Sequence, residues 1–174
     1  MKDYANRTLH SPVDFHSTVQ KALRRTWPRA QERGVTILGP PAQTGSDAGV
    51  EVLGDQVLLV EMVELLVCFA KRFTPDGGCV ELEIRGHGDS MVLSVRDRGP
   101  LTAAERLEPA SEWFDLLPGE PRLSRWGLDF SIVKRLAGFH HGTTTLRDRT
   151  NGGCECKVTL PRWRPAVAHF ARSV

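Results

Sequence analysis

Residues 91–100 of this 174-residue chain read Met91-Val92-Leu93-Ser94-Val95-Arg96-Asp97-Arg98-Gly99-Pro100, a strand pattern that ends at an aspartate. The alternation of its apolar residues predicts a strand with one buried face, and it carries Asp97 to the buried side. A buried carboxylate without a partner costs several kcal/mol, so a buried Asp97 requires one. Alternatively, a carboxylate at a strand end turns back to solvent or binds the amides of the following turn.

Two hairpins extend the sheet outward from this strand. Residues 79–85 alternate in the same way as residues 91–96, and a polar, glycine-containing turn separates them. Residues 143–147 and 154–160 form a second pair, joined by a turn with two successive glycines. We therefore expect a mostly antiparallel sheet.

Apolar residues at helical spacing predict a second layer. One helix covers residues 15–33 and ends at Gly34, and Pro28 is expected to kink or divide it. A short strand at 35–38 follows. A longer helix then begins from Asp55 as its N-terminal cap and runs to about Phe73.

Two further helices follow the first hairpin. Thr102 and Glu105 have the spacing of a capping box, which predicts a short helix to about Leu107. The last helix follows Gly127 and carries an apolar stripe of Phe130, Val133, Leu136, Ala137 and His140. Because the helices and the sheet must each bury one face, the fold class is α+β, a two-layer α/β sandwich with about three helices on one face.

Composition excludes several classes of function. The chain has 23 basic and 21 acidic residues, a formal charge of +2, which is too small to make nucleic acid the main ligand. Its longest apolar stretch, residues 57–70, contains Glu61 and Glu64 and is shorter than the roughly 20 residues of a membrane span.

The first eight residues lack the apolar core of a secretory signal, so we expect a cytoplasmic protein with four free thiols. Cys154 and Cys156 are interpreted as ordinary buried cysteines rather than metal ligands.

Five short motifs occur in a recognisable order: Gly54-Asp55, Phe73-Thr74-Pro75-Asp76-Gly77-Gly78, Asp97-Arg98-Gly99-Pro100, Gly127-Leu128 with Ile132-Val133-Lys134, and Val158-Thr159-Leu160-Pro161. Together they resemble the ATP-binding domain of sensor histidine kinases, of the Bergerat-fold group that includes gyrase-type and Hsp90-type ATPases. The resemblance covers residues 13–161, which leaves an extension at 1–12 and a solvated tail at 162–174.

The resemblance implies a nucleotide, ATP or ADP, and a role for particular residues. In the family the residue that matches Asp97 accepts a hydrogen bond from the adenine amino group, and Gly99 gives the base room to approach. Gly127 then belongs to the helix start that receives the phosphates. Arg72 stands in place of a family lysine near the phosphates, and Arg122 and Arg125 lie in the lid segment, residues 109–126, from which they could reach the phosphates.

The same comparison reveals departures at the magnesium position. Counted back from Thr74, Phe69 replaces the asparagine that holds the ion, and Leu65 replaces a polar residue one turn earlier. Magnesium requires oxygen ligands, which neither side chain offers. We therefore expect no bound magnesium.

The two glycine-rich motifs are also altered. Leu101 replaces the second glycine of the first motif, so a side chain occupies that approach. Asp129 replaces a glycine where the last helix begins, and there it can act as an N-terminal cap and repel a polyphosphate. The lid segment carries large apolar residues and is expected either to pack over the pocket or to contact another protein.

Three functions follow from these features. The first is a degenerate regulatory or docking module in two-component phosphorelay signalling, with weak or lost nucleotide binding, whose partner is a response regulator, a histidine phosphotransfer protein or a histidine kinase. The alternative is the catalytic half of a split sensor kinase. The third is an anti-sigma-factor-type kinase, although such kinases retain the magnesium asparagine.

The histidines are not expected to take part in catalysis. Only twelve residues precede Val13, which leaves no room for a phosphoacceptor hairpin, and His10 is followed by Ser11. His16 lies at the entry of the first helix. His140 and His141 follow the last helix, where a positive charge would complement the helix dipole.

Overall fold

The computed structural model describes residues 11–41, 50–107 and 126–164. In chain order the elements are β1 (Pro12–Asp14), α1 (Phe15–Gln31), β2 (Thr36–Leu38), β3 (Glu51–Leu53), α2 (Gln56–Phe73), β4 (Cys79–His87), β5 (Ser90–Arg96), α3 (Ala103–Leu107), α4 (Trp126–Phe139), β6 (Thr143–Asp148) and β7 (Cys154–Trp163). The helices pack on one face of the sheet, which is the predicted two-layer α/β sandwich.

The described strands form one mixed sheet in the order β1-β3-β7-β5-β4-β2, and β6 also pairs with β7. Only the pairing of β2 with β4 is parallel. Both predicted hairpins are present, since β4 pairs with β5 and β6 pairs with β7. Strand β7 continues two residues past Pro161, where Trp163 pairs with Glu51 of β3.

The outer face of the sheet carries charged side chains that pair across strands. Arg96 of β5 binds Glu83 of β4 and Glu155 of β7, both at 2.7 Å. Burial alone would raise the pKa of Glu155, but its hydrogen bonds with Arg96 and Lys157 lower it below the ordinary value. These pairs let the outer face meet solvent while the inner face packs on the helices.

The two long helices are capped as their sequences predict. Asp55 accepts hydrogen bonds from the amides of Val57 and Leu58, at 2.7 and 3.2 Å, and so starts α2. Gly34 has the left-handed backbone (φ +62°) expected after α1. Helix α2 lies at the centre of the helical layer, and its inward residues are fully or nearly fully buried.

Pro28 does not divide α1, which is continuous from Phe15 to Gln31. Trp27 has the same helical spacing as the buried Leu23 and Ala30, yet it is 44% exposed. Among the described residues, no helix combines the length and the apolar character that a bilayer crossing needs.

Candidate functional site

Asp97 directly follows β5 on the inner face of the sheet, and only 2% of its surface is exposed. Its partner is Arg106 of α3. The two guanidinium Nη atoms of Arg106 donate to the two carboxylate oxygens at 2.6 and 2.7 Å, which makes a bidentate pair. The amide of Gly99 also donates to the carboxylate, at 2.8 Å. The predicted burial of Asp97 is therefore confirmed, and both of its carboxylate oxygens are engaged by the chain itself.

Arg106 is enclosed as completely as the carboxylate. The side-chain exposures of Arg106 and Asp97 are 0% and 3%. Its Nε donates to the carbonyl oxygen of Leu101 at 3.0 Å, and its guanidinium carbon lies 4.4 Å from the centre of the Phe73 ring. A buried charge pair is stable only when such contacts satisfy the remaining donors, and here a carbonyl and an aromatic face supply them.

The short helix α3 is held in place by local caps. Thr102 and Glu105 form the predicted capping box: Glu105 accepts from the Thr102 amide at 2.6 Å, and the Thr102 hydroxyl accepts from the Glu105 amide at 3.3 Å. The carboxylate of Asp148 in β6 accepts from the Ala103 amide at 2.6 Å. These bonds fix the start of α3 and so direct Arg106 toward Asp97.

Two glycines allow the chain to close around Asp97. A Cβ at Gly99 would overlap the carbonyl oxygen of Phe73 and lie 2.9 Å from Nη2 of Arg106. A Cβ at Gly153 would overlap the backbone of Asp97. The resemblance implied room for a base at Gly99, but the carbonyl of Phe73 and the guanidinium of Arg106 fill that room.

Phe69 lies in an aromatic cluster between the helices. Its ring is 5.1 Å from that of Phe73 and 5.4 Å from that of Phe130, and the residue is 0% exposed. Leu65, one turn earlier, packs against the same core. Arg72 lies half-buried in the last turn of α2, where a cation complements the helix dipole.

Helix α4 is described from Trp126, so Gly127 and Asp129 both lie within it. The predicted start after Gly127 is therefore wrong, and Asp129 lies inside the helix rather than at the N-terminal cap position. Arg122, Arg125 and most of the lid segment lie outside the described residues.

His140 forms a second buried polar contact, at the other end of α2. Its Nδ1 donates to the carbonyl oxygen of Leu136 at 2.7 Å, and its Nε2 accepts from the Asp55 amide at 3.2 Å. One nitrogen donates and the other accepts, so the ring is neutral. Burial lowers the pKa of His140 below its ordinary value, although the bond to Leu136 opposes that shift. His140 thus has a structural role, and the positive charge expected for it is wrong.

The cysteines in β7 are buried thiols. Burial raises the pKa of Cys154 to about 11, and burial also raises that of Cys156. Such thiols remain protonated and unreactive. In the ranges that the structure describes, no cluster of His, Cys, Asp and Glu side chains is arranged to hold a metal ion.

Comparison with known proteins identifies the family that this chain matches. Residues 54–164 match the family described as histidine kinase-, DNA gyrase B- and HSP90-like ATPase. The chain belongs to this family. The matched part of the chain includes α2, the hairpin that carries Asp97, and the strands that follow.

Two curated relatives are sensor kinases. The chain is 37% identical over 117 residues to the sensor protein kinase PmrB of Pseudomonas aeruginosa, which covers 67% of the chain and 24% of that protein. It is 30% identical over 151 residues to the histidine protein kinase DivJ of Caulobacter vibrioides, which covers 85% of the chain and 24% of that protein. The chain therefore spans about a quarter of the length of these relatives.

Solved structures show the same fold. The cytoplasmic segment of the histidine kinase QseC superposes with a TM-score of 0.63 at 21% identity, covering 94% of this chain and 85% of that one. The catalytic domain of the histidine kinase ThkA superposes with a TM-score of 0.68 at 14% identity, covering 87% of this chain and 95% of that one. At these identities the likeness establishes the fold alone.

Phe69 does not fit the magnesium ion that the ATPase family implies, and Asp97 as paired here does not fit the adenine base. Phe69 presents a phenyl ring, enclosed by other rings, where an oxygen ligand would be needed. Asp97 has both carboxylate oxygens occupied by Arg106. A base could contact that carboxylate only if the guanidinium moved away.

The residue that the sequence analysis missed is Arg106. It follows the capping-box glutamate and, with Ala103, is one of the two buried residues of α3. Because Ala103 and Arg106 are three residues apart, they share one helix face. Two signals were available in the sequence: a buried Asp97 requires a partner, and a helix begins six residues later, at Ala103.

Proposed function

We propose that this chain is a degenerate histidine-kinase-like ATP-binding domain that acts as a regulatory or docking module in two-component phosphorelay signalling. Its nucleotide affinity is weak or lost, and it binds no magnesium. Its partner is a response regulator, a histidine phosphotransfer protein or a histidine kinase. Family membership supports the signalling context, and the altered residues support the loss of nucleotide chemistry.

The observation that carries this proposal is the position of Phe69. The ring is fully buried and packs edge-on against Phe73 and at a tilt against Phe130. A residue so enclosed contributes several kcal/mol to packing, which is a structural task incompatible with exposing a metal ligand there. Phosphoryl transfer depends on metal ions that neutralise the charge developing on the phosphates, so their loss removes the catalytic step.

Isothermal titration of the unaltered protein with ATP, with and without magnesium, tests the proposal. We expect weak or undetectable binding that magnesium does not strengthen. Phe69→Leu is the matched control: it retains an apolar core side chain and should give the same titration. Micromolar ATP affinity that depends on magnesium would contradict the proposal.

A second candidate is the catalytic half of a split sensor kinase. The observation that favours it is sequence similarity to whole sensor kinases, of which this chain matches about a quarter. In this case Asp97, Gly99, Gly127, Arg72, Arg122 and Arg125 hold the nucleotide, and the phosphorylated histidine lies on another polypeptide. Asp97→Asn should then abolish nucleotide binding, whereas an unchanged affinity would count against this candidate.

A further inference from the structure

The surroundings of the Arg106 guanidinium have the composition of a ligand site. Its planar edge faces a carboxylate that accepts two N–H bonds, at 2.6 and 2.7 Å. An aromatic ring covers one face at 4.4 Å, and a backbone carbonyl accepts from the remaining edge at 3.0 Å. A buried carboxylate, an aromatic face and a carbonyl together recognise a flat group whose edge carries several N–H donors.

We propose that Arg106 is an internal ligand of this site, and that its side chain fills a binding site for planar groups with N–H donors on one edge. Guanidines and amidines are the ligand classes with this chemistry, and the amino group of adenine can donate one N–H bond to the same carboxylate. Free ligands of these classes enter only when α3 carries the guanidinium away from Asp97. Arg106 therefore sets the affinity of the chain for an adenine nucleotide.

Helix α3 is built so that it can release. Among its described residues, Ala103–Leu107, two are buried, Ala103 and Arg106. The other three, Ala104, Glu105 and Leu107, are exposed. Its attachment depends on the capping box, the bond from Ala103 to Asp148 and the Arg106 pair. Segments with so few buried contacts open at lower free energy than the core around them.

The groups that would remain after release belong to more rigid elements. Asp97 continues β5, which pairs with β4 and β7, and Phe73 closes the last turn of α2. Gly99 leaves no side chain beside the carboxylate, and its amide donates to one carboxylate oxygen at 2.8 Å. Asp97, Phe73 and Gly99 thus keep their positions when α3 is released, and Arg106 is the group that moves.

The inference rests on the proposed function in one respect, because it assigns the weak nucleotide affinity of the chain to the contact of Arg106 with Asp97. The two fail separately. Magnesium-dependent ATP binding by the unaltered protein would overturn the proposed function. The internal-ligand proposal is tested without metal, and its first probe, N-ethylguanidinium, carries no phosphate.

Chemical rescue of Arg106→Ala is the direct test. Low-millimolar N-ethylguanidinium should raise the melting temperature of this variant and leave that of the unaltered protein unchanged. Arg96→Ala is the matched control, since Arg96 also pairs with two carboxylates but lies on the outer face of the sheet. It should not respond to the compound. An equal response of both variants, or none in Arg106→Ala, would overturn the proposal.

Adenosine and magnesium-free ADP provide the second measurement. Arg106→Ala should bind them roughly tenfold tighter than the unaltered protein, since the ligand no longer has to displace a buried ion pair. Adding Asp97→Asn to that variant should remove the gain. Equal affinities in the variant and the unaltered protein would contradict the proposal.

Hydrogen exchange on the unaltered protein covers the case in which the variant does not fold. Amides of α3 should exchange faster in the presence of saturating adenosine, while those of β5 remain protected. Saturation with no change in α3 would overturn the proposal. Failure of the protein to bind adenosine at any accessible concentration, together with failure to rescue Arg106→Gln by guanidinium, would also overturn it.

Discussion

The two ends of α2 each hold a buried polar contact, but the contacts are built from different chemistry. At the N-terminal end, His140 is neutral and bridges the Asp55 amide and the Leu136 carbonyl. At the C-terminal end, beside Phe73, the contact between Asp97 and Arg106 is fully ionic. The neutral contact joins the ends of two long helices, whereas the ionic one joins the end of β5 to α3.

The two contacts therefore differ in what their opening would cost. A neutral hydrogen-bonded pair between long elements contributes modestly to stability, and its opening leaves no unpaired charge. When either partner of a buried ion pair leaves, the other charge is buried without a partner. This is costly unless another charged or polar group takes the place of the missing partner. At the C-terminal end of α2, a ligand can therefore take the place of Arg106 beside Asp97.

The largest expected effect is that of Arg106→Met. This substitution leaves the Asp97 carboxylate buried without its counter-charge, which should lower the free energy of unfolding by about 3 to 5 kcal/mol. Urea denaturation followed by circular dichroism measures the change. Adding Asp97→Asn should restore a large part of the loss, because an amide carries no charge and still accepts from Gly99. A double variant no more stable than Arg106→Met would contradict the account.

A smaller effect is expected at the neutral end from Gly54→Ala. A Cβ there would overlap the His140 ring and lie 3.0 Å from Leu59, so the substitution should destabilise the protein by about 1 to 3 kcal/mol. Gly138→Ala is the matched control with the opposite sign. Gly138 lies inside α4, and an added Cβ meets no atom within 4 Å, so alanine should stabilise the helix by roughly 0.5 to 1 kcal/mol.

The smallest expected effect is a pH dependence that belongs to the neutral end. Burial lowers the pKa of His140 below its ordinary value of 6.5, so the unfolded chain takes up a proton before the folded protein does. The contribution of His140 is fully present above pH 6.5 and is lost progressively as the pH falls below it. Stability measured from pH 7.5 to 5 should show this loss. It should be absent in His140→Gln and present in His141→Gln, at the exposed neighbouring position. A slope retained in His140→Gln would rule out this assignment.

Patterns that depend on local chemistry were predictable from the sequence. Alternation placed Asp97 inward, the aspartate before α2 marked its first turn, and Thr102 with Glu105 marked α3. In each case one residue type satisfies a backbone or burial requirement within a few positions, so the neighbouring sequence carries the signal.

Contacts that depend on tertiary placement were not predictable in the same way. The pairing of Asp97 with Arg106 requires the direction in which α3 leaves the sheet, and the neutral state of His140 requires its burial against Gly54. For the same reason Trp27 has helical spacing for burial yet stays largely exposed. The resemblance supplied adenine as the partner of Asp97, whereas the fold supplies Arg106.

Arg106 occupies the Asp97 carboxylate, and under the proposal a base must displace it. The Nε and Nη resonances of Arg106 in a nitrogen-15 NMR spectrum, assigned by comparison with Arg106→Lys, report on this contact directly. We expect separate, slowly rotating Nη signals that persist when micromolar ADP and magnesium are added. Nη signals averaged by free rotation, or signals that shift fully at micromolar nucleotide, would contradict it.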